Sequence, residues 1–265
     1  MPSHSIEWVN LLYFSGLTSL ALLRIRARNS RMKAILIGLS GAAGSIAMMS
    51  MPDLWLRDWV PIPLMLMAYW QSGCFFDKPN IKLQTVFESW DKILFDRLAA
   101  IDPGTRSVKW ITSLAETAYL LCYPIVPLGV VALHLAGQAA RIDSYWLTVV
   151  LTAYPCYAML PFVQLLPPRS LHRSEVRAEP EGMIRRFNLW ITRHLSHNAN
   201  TFPSGHVAAS AAITLVLLRD APAAGIGFLF IAMGISVGCV AGRYHYTADV
   251  VAALALAVIV FLILG

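Results

Sequence analysis

Long apolar stretches are the feature of this sequence that most limits how it can fold. Hydrophobic residues make up 57% of the chain and charged residues only 14%, whereas about a quarter of a soluble domain is charged. A helix needs about 20 mostly apolar residues to cross a bilayer. Stretches of about that length lie near 8–23, 34–51, 59–76, 110–136, 145–166, 203–218, 223–241 and 248–264. We therefore predict an all-α, polytopic transmembrane bundle of about eight spans.

Charge and proline placement refine this topology. No basic residue precedes the first apolar stretch, and Arg24, Arg26 and Arg28 follow it. That order is the reverse of a signal peptide, so the stretch is predicted to be a retained span. Pro124 and Pro127 predict a kink in the fourth span.

Two segments are predicted to be helical without crossing the membrane. From Leu83 to Ile101, apolar residues recur at helical spacing, and charged residues including Asp91 occupy the opposite face. This pattern predicts an amphipathic helix in the membrane interface, ended by Asp102-Pro103-Gly104. The polar loop over 167–201 is predicted to contain a short helix near 183–195.

Two polar motifs interrupt the last three apolar stretches. Pro203-Ser204-Gly205-His206 opens one span, and the segment from Arg243 to Asp249 separates the next two. The spacing of four lets the Asp249 carboxylate fix the tautomer of His245, as a histidine nucleophile requires. His206 can then protonate a leaving alcohol. Small residues before a helix let backbone N–H groups approach phosphate oxygens, so the residues suit phosphoryl transfer through a phosphohistidine.

Alternation of the predicted spans places Pro167-Pro168-Arg169 and both of these motifs on one side of the membrane. It places eighteen of the 21 basic residues there too, leaving Arg57, Arg141 and Arg219 opposite. The positive-inside rule then predicts a cytoplasmic active site and two external termini. The alternative is that these cations gather anionic substrate or bind lipid headgroups. A bacterial-type inner or plasma membrane is the expected location.

These motifs resemble those of the type 2 phosphatidic acid phosphatase superfamily. Pro203-Ser204-Gly205-His206 and the His245–Asp249 pair are similar to its second and third motifs. Pro167-Pro168-Arg169 resembles the first motif in the branch that contains inositol phosphorylceramide synthases. The resemblance covers roughly 110–260 and suggests N-terminal spans plus an interfacial helix over 1–108 and a catalytic core over 109–265.

The resemblance implies roles for the motif residues. His245 would be the nucleophile, His206 the general acid and then base, and Asp249 the residue that orients the nucleophile. Arg169, Arg243, Ser204 and Gly205 would hold the phosphate. Glu116 lies inside the fourth span, where an ionisable group is costly. It is predicted either to recognise a headgroup hydroxyl, with Tyr119 and Tyr123 nearby, or to be a structural carboxylate that is protonated or paired with arginine. His134, His172, His194 and His197 are predicted to be interfacial.

The chain departs from the common family pattern in two places. Cys239 occupies the position six residues before the nucleophile where an arginine is usual, and no lysine follows Lys109. The four cysteines form no Cys-x-x-Cys pair and predict neither a disulfide framework nor a zinc site. No metal, other cofactor or nucleic-acid partner is expected; the expected partners are bilayer lipids and a lipid phosphate.

The predicted function is metal-independent hydrolysis of a lipid phosphomonoester or pyrophosphate. The acceptor could instead be an alcohol, making the protein a lipid phosphotransferase, because both reactions use the same intermediate. A transporter or scaffold with a degenerate fold is the third interpretation. The lipid and the oligomeric state stay open at this point.

Overall fold

The computed structural model describes residues 5–51, 55–98, 106–171, 182–197 and 199–265. Every regular element in these ranges is helical, apart from one isolated bridge between Leu165 and Asn200, and this confirms the predicted fold class. The α-helices are α1 (Ser5–Arg24), α2 (Arg28–Met49), α3 (Pro61–Gly73), α4 (Ile81–Leu98), α5 (Arg106–Leu120), α6 (Ile125–Leu135), α7 (Ile142–Ala158), α8 (Pro168–Leu171), α9 (Met183–His194), α10 (Gly205–Asp220), α11 (Pro222–Ala241) and α12 (Thr247–Leu264). Two short 3-10 helices lie at Trp55–Trp59 and Ala139–Arg141.

Four of these helices, α1, α2, α11 and α12, are long and apolar enough to cross a membrane. A fifth span results if α5 and α6 are joined, because Ser113–Leu120 and Ile125–Leu135 meet at 66°. The break lies at Pro124, where the sequence predicts a kink. The stretches predicted as the third, fifth and sixth spans form α3, α7 and α10, which are only 13, 17 and 16 residues long. A count of eight therefore stays a prediction.

Helix α10 lies at the centre of the bundle. It packs against α6, α7, α11 and α12, and its run from Val207 to Ile213 is buried throughout. Most of these residues are alanine, and small side chains let membrane helices approach closely. By contrast, α11 and α12 expose Phe230, Met233 and Leu262 on their outer faces. A helix that is apolar on its exposed side fits a lipid environment.

The two ends of the bundle differ in chemistry. Helices α10 and α12 each begin at a motif and end at a cavity of about 530 Å³. Arg57, Arg141 and Arg219, which the sequence places opposite the motifs, all line this cavity, together with acidic residues. Arg57 forms a buried ion pair with Glu7 at 2.6 Å and a more exposed one with Asp143 at 2.7 Å, so ion pairs connect the helices at this end.

Helix α4 packs against the motif end, and this corrects one expectation. Asp91, assigned from the sequence to the solvent face, is 5% exposed and accepts a hydrogen bond from the Thr247 N–H at 2.9 Å. Gln84 and Phe87 lie on the same face and contact Tyr246. Asp91 faces the bundle because its carboxylate accepts from a backbone N–H in the first turn of α12, which has no partner within that helix. The side chains predicted beyond Lys92 and the Asp102-Pro103-Gly104 ending lie outside the described residues.

Candidate active site

Main-chain hydrogen bonds join the three motifs into one frame. The Arg169 N–H donates to the Arg243 carbonyl at 3.0 Å, and the Ser204 N–H donates to the Asp249 carbonyl at 3.1 Å. The Asn200 N–H donates to the Leu165 carbonyl at 2.8 Å. Backbone bonds hold their partners more rigidly than long side chains do, because they lose less rotamer freedom on forming. The three loop segments are therefore fixed relative to one another.

The Pro-Ser-Gly-His motif forms the N-terminus of α10. Ser204 is the N-cap, and its hydroxyl accepts from the Val207 N–H at 3.5 Å, while the Gly205 N–H faces the Thr201 hydroxyl at 3.4 Å. A Cβ on Gly205 would lie 2.4 Å from the Tyr157 ring. Glycine is thus required for the approach of α7. The predicted phosphate contacts of Ser204 and Gly205 stay predictions.

Replacing Gly205 with alanine is expected to destabilise the protein by about 1–3 kcal/mol, because the methyl group forces the Tyr157 ring out of place. Thermal unfolding in detergent measures this as a lower Tm. Gly227→Ala is the matched control, since a Cβ there meets nothing within 4 Å. Equal Tm values for the two variants would contradict the packing argument, and adding Tyr157→Leu to Gly205→Ala should restore part of the loss.

His245 and Asp249 form the predicted pair at the start of α12. The His245 Nδ1 atom lies 3.3 Å from Asp249 Oδ2, and both residues are buried. The same oxygen accepts from the Asn200 side chain at 2.7 Å and from the Tyr246 N–H at 2.9 Å. With Nδ1–H directed at the carboxylate, Nε2 keeps its lone pair for attack. Burial and the charge of Arg169 lower the pKa of His245 to about 3, so the ring is neutral near pH 7.

His206 lies beside His245. The two ring centroids are 5.8 Å apart, with planes at 77°. Tyr119 and Tyr123 each make an edge contact with the His206 ring, at 5.8 and 5.7 Å. The tyrosines predicted near the headgroup therefore hold one side of the histidine pair.

Arg169 is held by an aromatic ring. Its guanidinium carbon lies 4.7 Å from the centroid of the Tyr244 ring, and the Tyr244 ring stacks on Tyr119 at 3.8 Å. Among the described residues, no carboxylate forms an ion pair with Arg169. A cation held by a π face keeps its N–H donors available for an oxyanion.

Glu116 is buried behind Tyr244 and binds it. Its carboxylate, on a residue 2% exposed, accepts from the Tyr244 hydroxyl at 2.7 Å and from the Asn188 amide at 2.8 Å. Arg185 pairs with the other oxygen. Of the two roles that the sequence leaves open for Glu116, this geometry favours the arginine-paired structural carboxylate.

Arg243 adopts a left-handed backbone conformation, with φ of 56°. Such a conformation is strained for a residue with a side chain, and here it turns the chain so that Arg243 bonds to Arg169 through the backbone while His245 faces inward. The contact of the Arg243 side chain with phosphate stays a prediction.

Comparison with known proteins agrees with this geometry. A family profile described as the PAP2 superfamily matches residues 86–263, which is about two thirds of the chain. The chain belongs to the PAP2 superfamily. No curated protein and no solved structure gave a significant match. The PAP2 match begins within α4, earlier than the motifs, while the division of the chain at 108 stays a prediction.

Membership in the PAP2 superfamily, together with the long apolar helices, identifies a membrane protein with a phosphatase-like lipid enzyme domain. Within the described ranges, no three His, Cys, Asp or Glu side chains converge as metal ligands would. Arg173, Arg177, His172 and Asn198, which the sequence places in the loop before the Pro-Ser-Gly-His motif, lie outside the described residues.

The site contains residues whose function the sequence did not predict. Asn200, Tyr244 and Asp91 contact the motif residues. Only the closeness of Asn200 to one motif and the position of Tyr244 within the other signal this in the sequence. His197 was expected to be interfacial, and this stays a prediction. The residue is half-buried, its ring stacks on Tyr69 at 4.1 Å, and both ring nitrogens are buried. Gly73 leaves the space that this ring occupies, since a Cβ there would lie 2.7 Å from His197.

His197 is expected to make stability depend on pH. Burial lowers its pKa to about 4 from the ordinary 6.5. Between those values the unfolded chain binds a proton that the folded chain does not, so stability falls as pH falls, by up to about 1.4 kcal/mol per pH unit. His197→Phe keeps the stack on Tyr69 and removes the titration. Tm measured from pH 7.5 to 4.5 should fall less steeply in this variant, and parallel curves would contradict the prediction.

Proposed function

We propose that this PAP2 protein removes a phosphoryl group from a membrane lipid, or from a lipid-linked sugar, through a phosphohistidine and without a metal. The observation that carries the proposal is the buried His245–Asp249 pair beside His206, with the guanidinium of Arg169 on the Tyr244 ring and in no ion pair with a carboxylate of the described residues. These groups supply a nucleophile, an acid and an anion clamp in one place.

The first step forms a bond from His245 Nε2 to phosphorus and breaks the bond from phosphorus to the lipid oxygen. His206 gives its proton to that oxygen, and the Asp249 carboxylate stabilises the positive imidazole ring. Arg169, Arg243 and the N-terminus of α10 stabilise the charge on the equatorial oxygens. His206 must enter this step protonated, and the negative charge of the phosphate favours that form.

The second step releases the phosphate. His206 takes a proton from water, the water oxygen bonds to phosphorus, and the bond to Nε2 breaks. An alcohol can replace the water and leave as a new phosphoester. We propose hydrolysis. The acceptor, water or an alcohol, distinguishes a hydrolase from a phosphotransferase.

The active site is proposed to face the cytoplasm of a bacterial-type inner or plasma membrane. Support comes from the positive-inside rule and from the grouping of the three opposite arginines at the far end of the bundle. Protease or thiol-reagent access in sealed vesicles of known orientation tests this, and modification from the outside only would reverse the assignment.

The test of function is phosphate release by purified protein in detergent from phosphatidic acid, prenyl phosphates and a lipid-linked sugar phosphate. Release without an added alcohol supports the hydrolase. Transfer only when an alcohol is present would replace it with the phosphotransferase. Absence of both, with no label trapped on His245, would refute both enzymatic proposals.

A further inference from the structure

Helix α9 has an inverted pattern of burial. Two of its three buried residues, Asn188 and Thr192, are polar and the third is Ile191. Met183, Phe187 and Trp190 are instead 83%, 48% and 50% exposed. Spacings of four and three residues put these three side chains on one stripe. A surface helix that faced water would turn its aromatic residues inward. The outward environment of α9 is therefore apolar or interfacial.

The charge on α9 indicates what that environment contains. Arg186 and Arg193 are exposed and lie along one border of the stripe, and the helix has no acidic residue. Arginine stems can lie along apolar surface while their guanidinium groups reach headgroup phosphates. A cationic helix with a Trp and Phe stripe is typical of binding in the plane of an anionic interface.

Polar contacts hold α9 at the motif end of the bundle. Asn188 and Arg185 bind the Glu116 carboxylate, which in turn holds Tyr244 beneath Arg169. At the other end of α9, the Trp70 indole N–H donates to the Leu195 carbonyl at 2.9 Å. Because its inner side is fixed, only the outer stripe is available for docking.

We propose that the outer stripe of α9 docks in the anionic headgroup layer of the membrane and sets the depth of Arg169 there. A lipid phosphate at headgroup level would then reach Arg169 without leaving the bilayer. Docking of α9 does not depend on the proposed phosphoryl transfer; only the access of a lipid phosphate to Arg169 rests on that proposed function.

The test uses the full chain reconstituted in vesicles of phosphatidylcholine with increasing phosphatidylglycerol. Trp190 fluorescence is isolated by subtracting the spectrum of Trp190→Phe from that of the wild type. The difference signal should be quenched more strongly by bromine near the headgroup than by bromine near the chain end. Quenching should increase with phosphatidylglycerol and weaken in high salt.

Arg186→Gln with Arg193→Gln should remove most of the dependence on phosphatidylglycerol. Arg141→Gln is the matched control, because Arg141 is exposed at the opposite end of the bundle. A Trp190 signal insensitive to brominated lipid would overturn the proposal, whether water or protein covers the stripe. Quenching that does not change with the phosphatidylglycerol content would show that the stripe does not require an anionic lipid, and would overturn that part of the proposal. These readouts need no turnover, so they can succeed even if the proposed function fails.

Discussion

Replacing His245 with asparagine is expected to lower phosphate release by about 10³-fold or more. The variant removes the only atom proposed to bond to phosphorus, and losses of a nucleophile reach this size because no other group takes over its role. The measurement is initial-rate phosphate release in detergent, with trapping of labelled phosphoprotein beside it. Both should be lost together.

The matched control for that variant is His134→Gln. His134 lies away from the motifs, where it pairs with Asp58 at 3.0 Å, so its loss should leave the rate near the wild-type value. Retention of a tenth of the activity or more in His245→Asn, with unchanged phosphoprotein labelling, would remove His245 as the nucleophile.

Replacing Asp249 with asparagine is expected to lower activity by about 10²–10⁴-fold, the range seen when an orienting carboxylate becomes an amide. One oxygen, Oδ2, accepts from His245, Asn200 and Tyr246 in this structure. An amide in its place can present an N–H to Nδ1, which would put the histidine proton on Nε2 and block attack. The substitution therefore acts on the tautomer of the nucleophile.

Asn200→Ala separates this effect from simple loss of structure. It removes one donor to Asp249 and leaves the carboxylate, so its effect on activity should be roughly tenfold and well below that of Asp249→Asn. Equal losses in the two variants, with equal falls in Tm, would indicate a structural role for Asp249. Unchanged Tm with a large loss of rate supports orientation of His245.

The spacing from His245 to Asp249 could be interpreted from the sequence because the contact is local. Residues four apart at a helix start are neighbours in any fold that keeps the helix. The Asp91 contact with Thr247 could not, since it joins residues 156 positions apart. The amphipathic pattern put Asp91 on the solvent face, and capping of α12 turned it inward.

Glu116 shows the same limit. A carboxylate within an apolar stretch signals a special role from sequence alone, because its cost in an apolar setting must be offset. Its partners Asn188, Arg185 and Tyr244 come from two other segments, and nothing in the local pattern identifies them. The same holds for His197, whose stack on Tyr69 depends on the space left by Gly73.

By itself, the sequence determined the all-helical membrane class, the break near Pro124 and the histidine, aspartate and arginine set of the motifs. These depend on composition and on periodicity within one segment, which survive whatever the arrangement of helices. Three contacts could be learned only from the tertiary structure. Helix α4 packs against the start of α12, the Arg169 guanidinium lies on the Tyr244 ring, and the Glu116 carboxylate accepts hydrogen bonds from both Tyr244 and α9. The physical reason is that packing and buried hydrogen bonds form between segments far apart in the chain, where satisfying each buried polar group selects the partner.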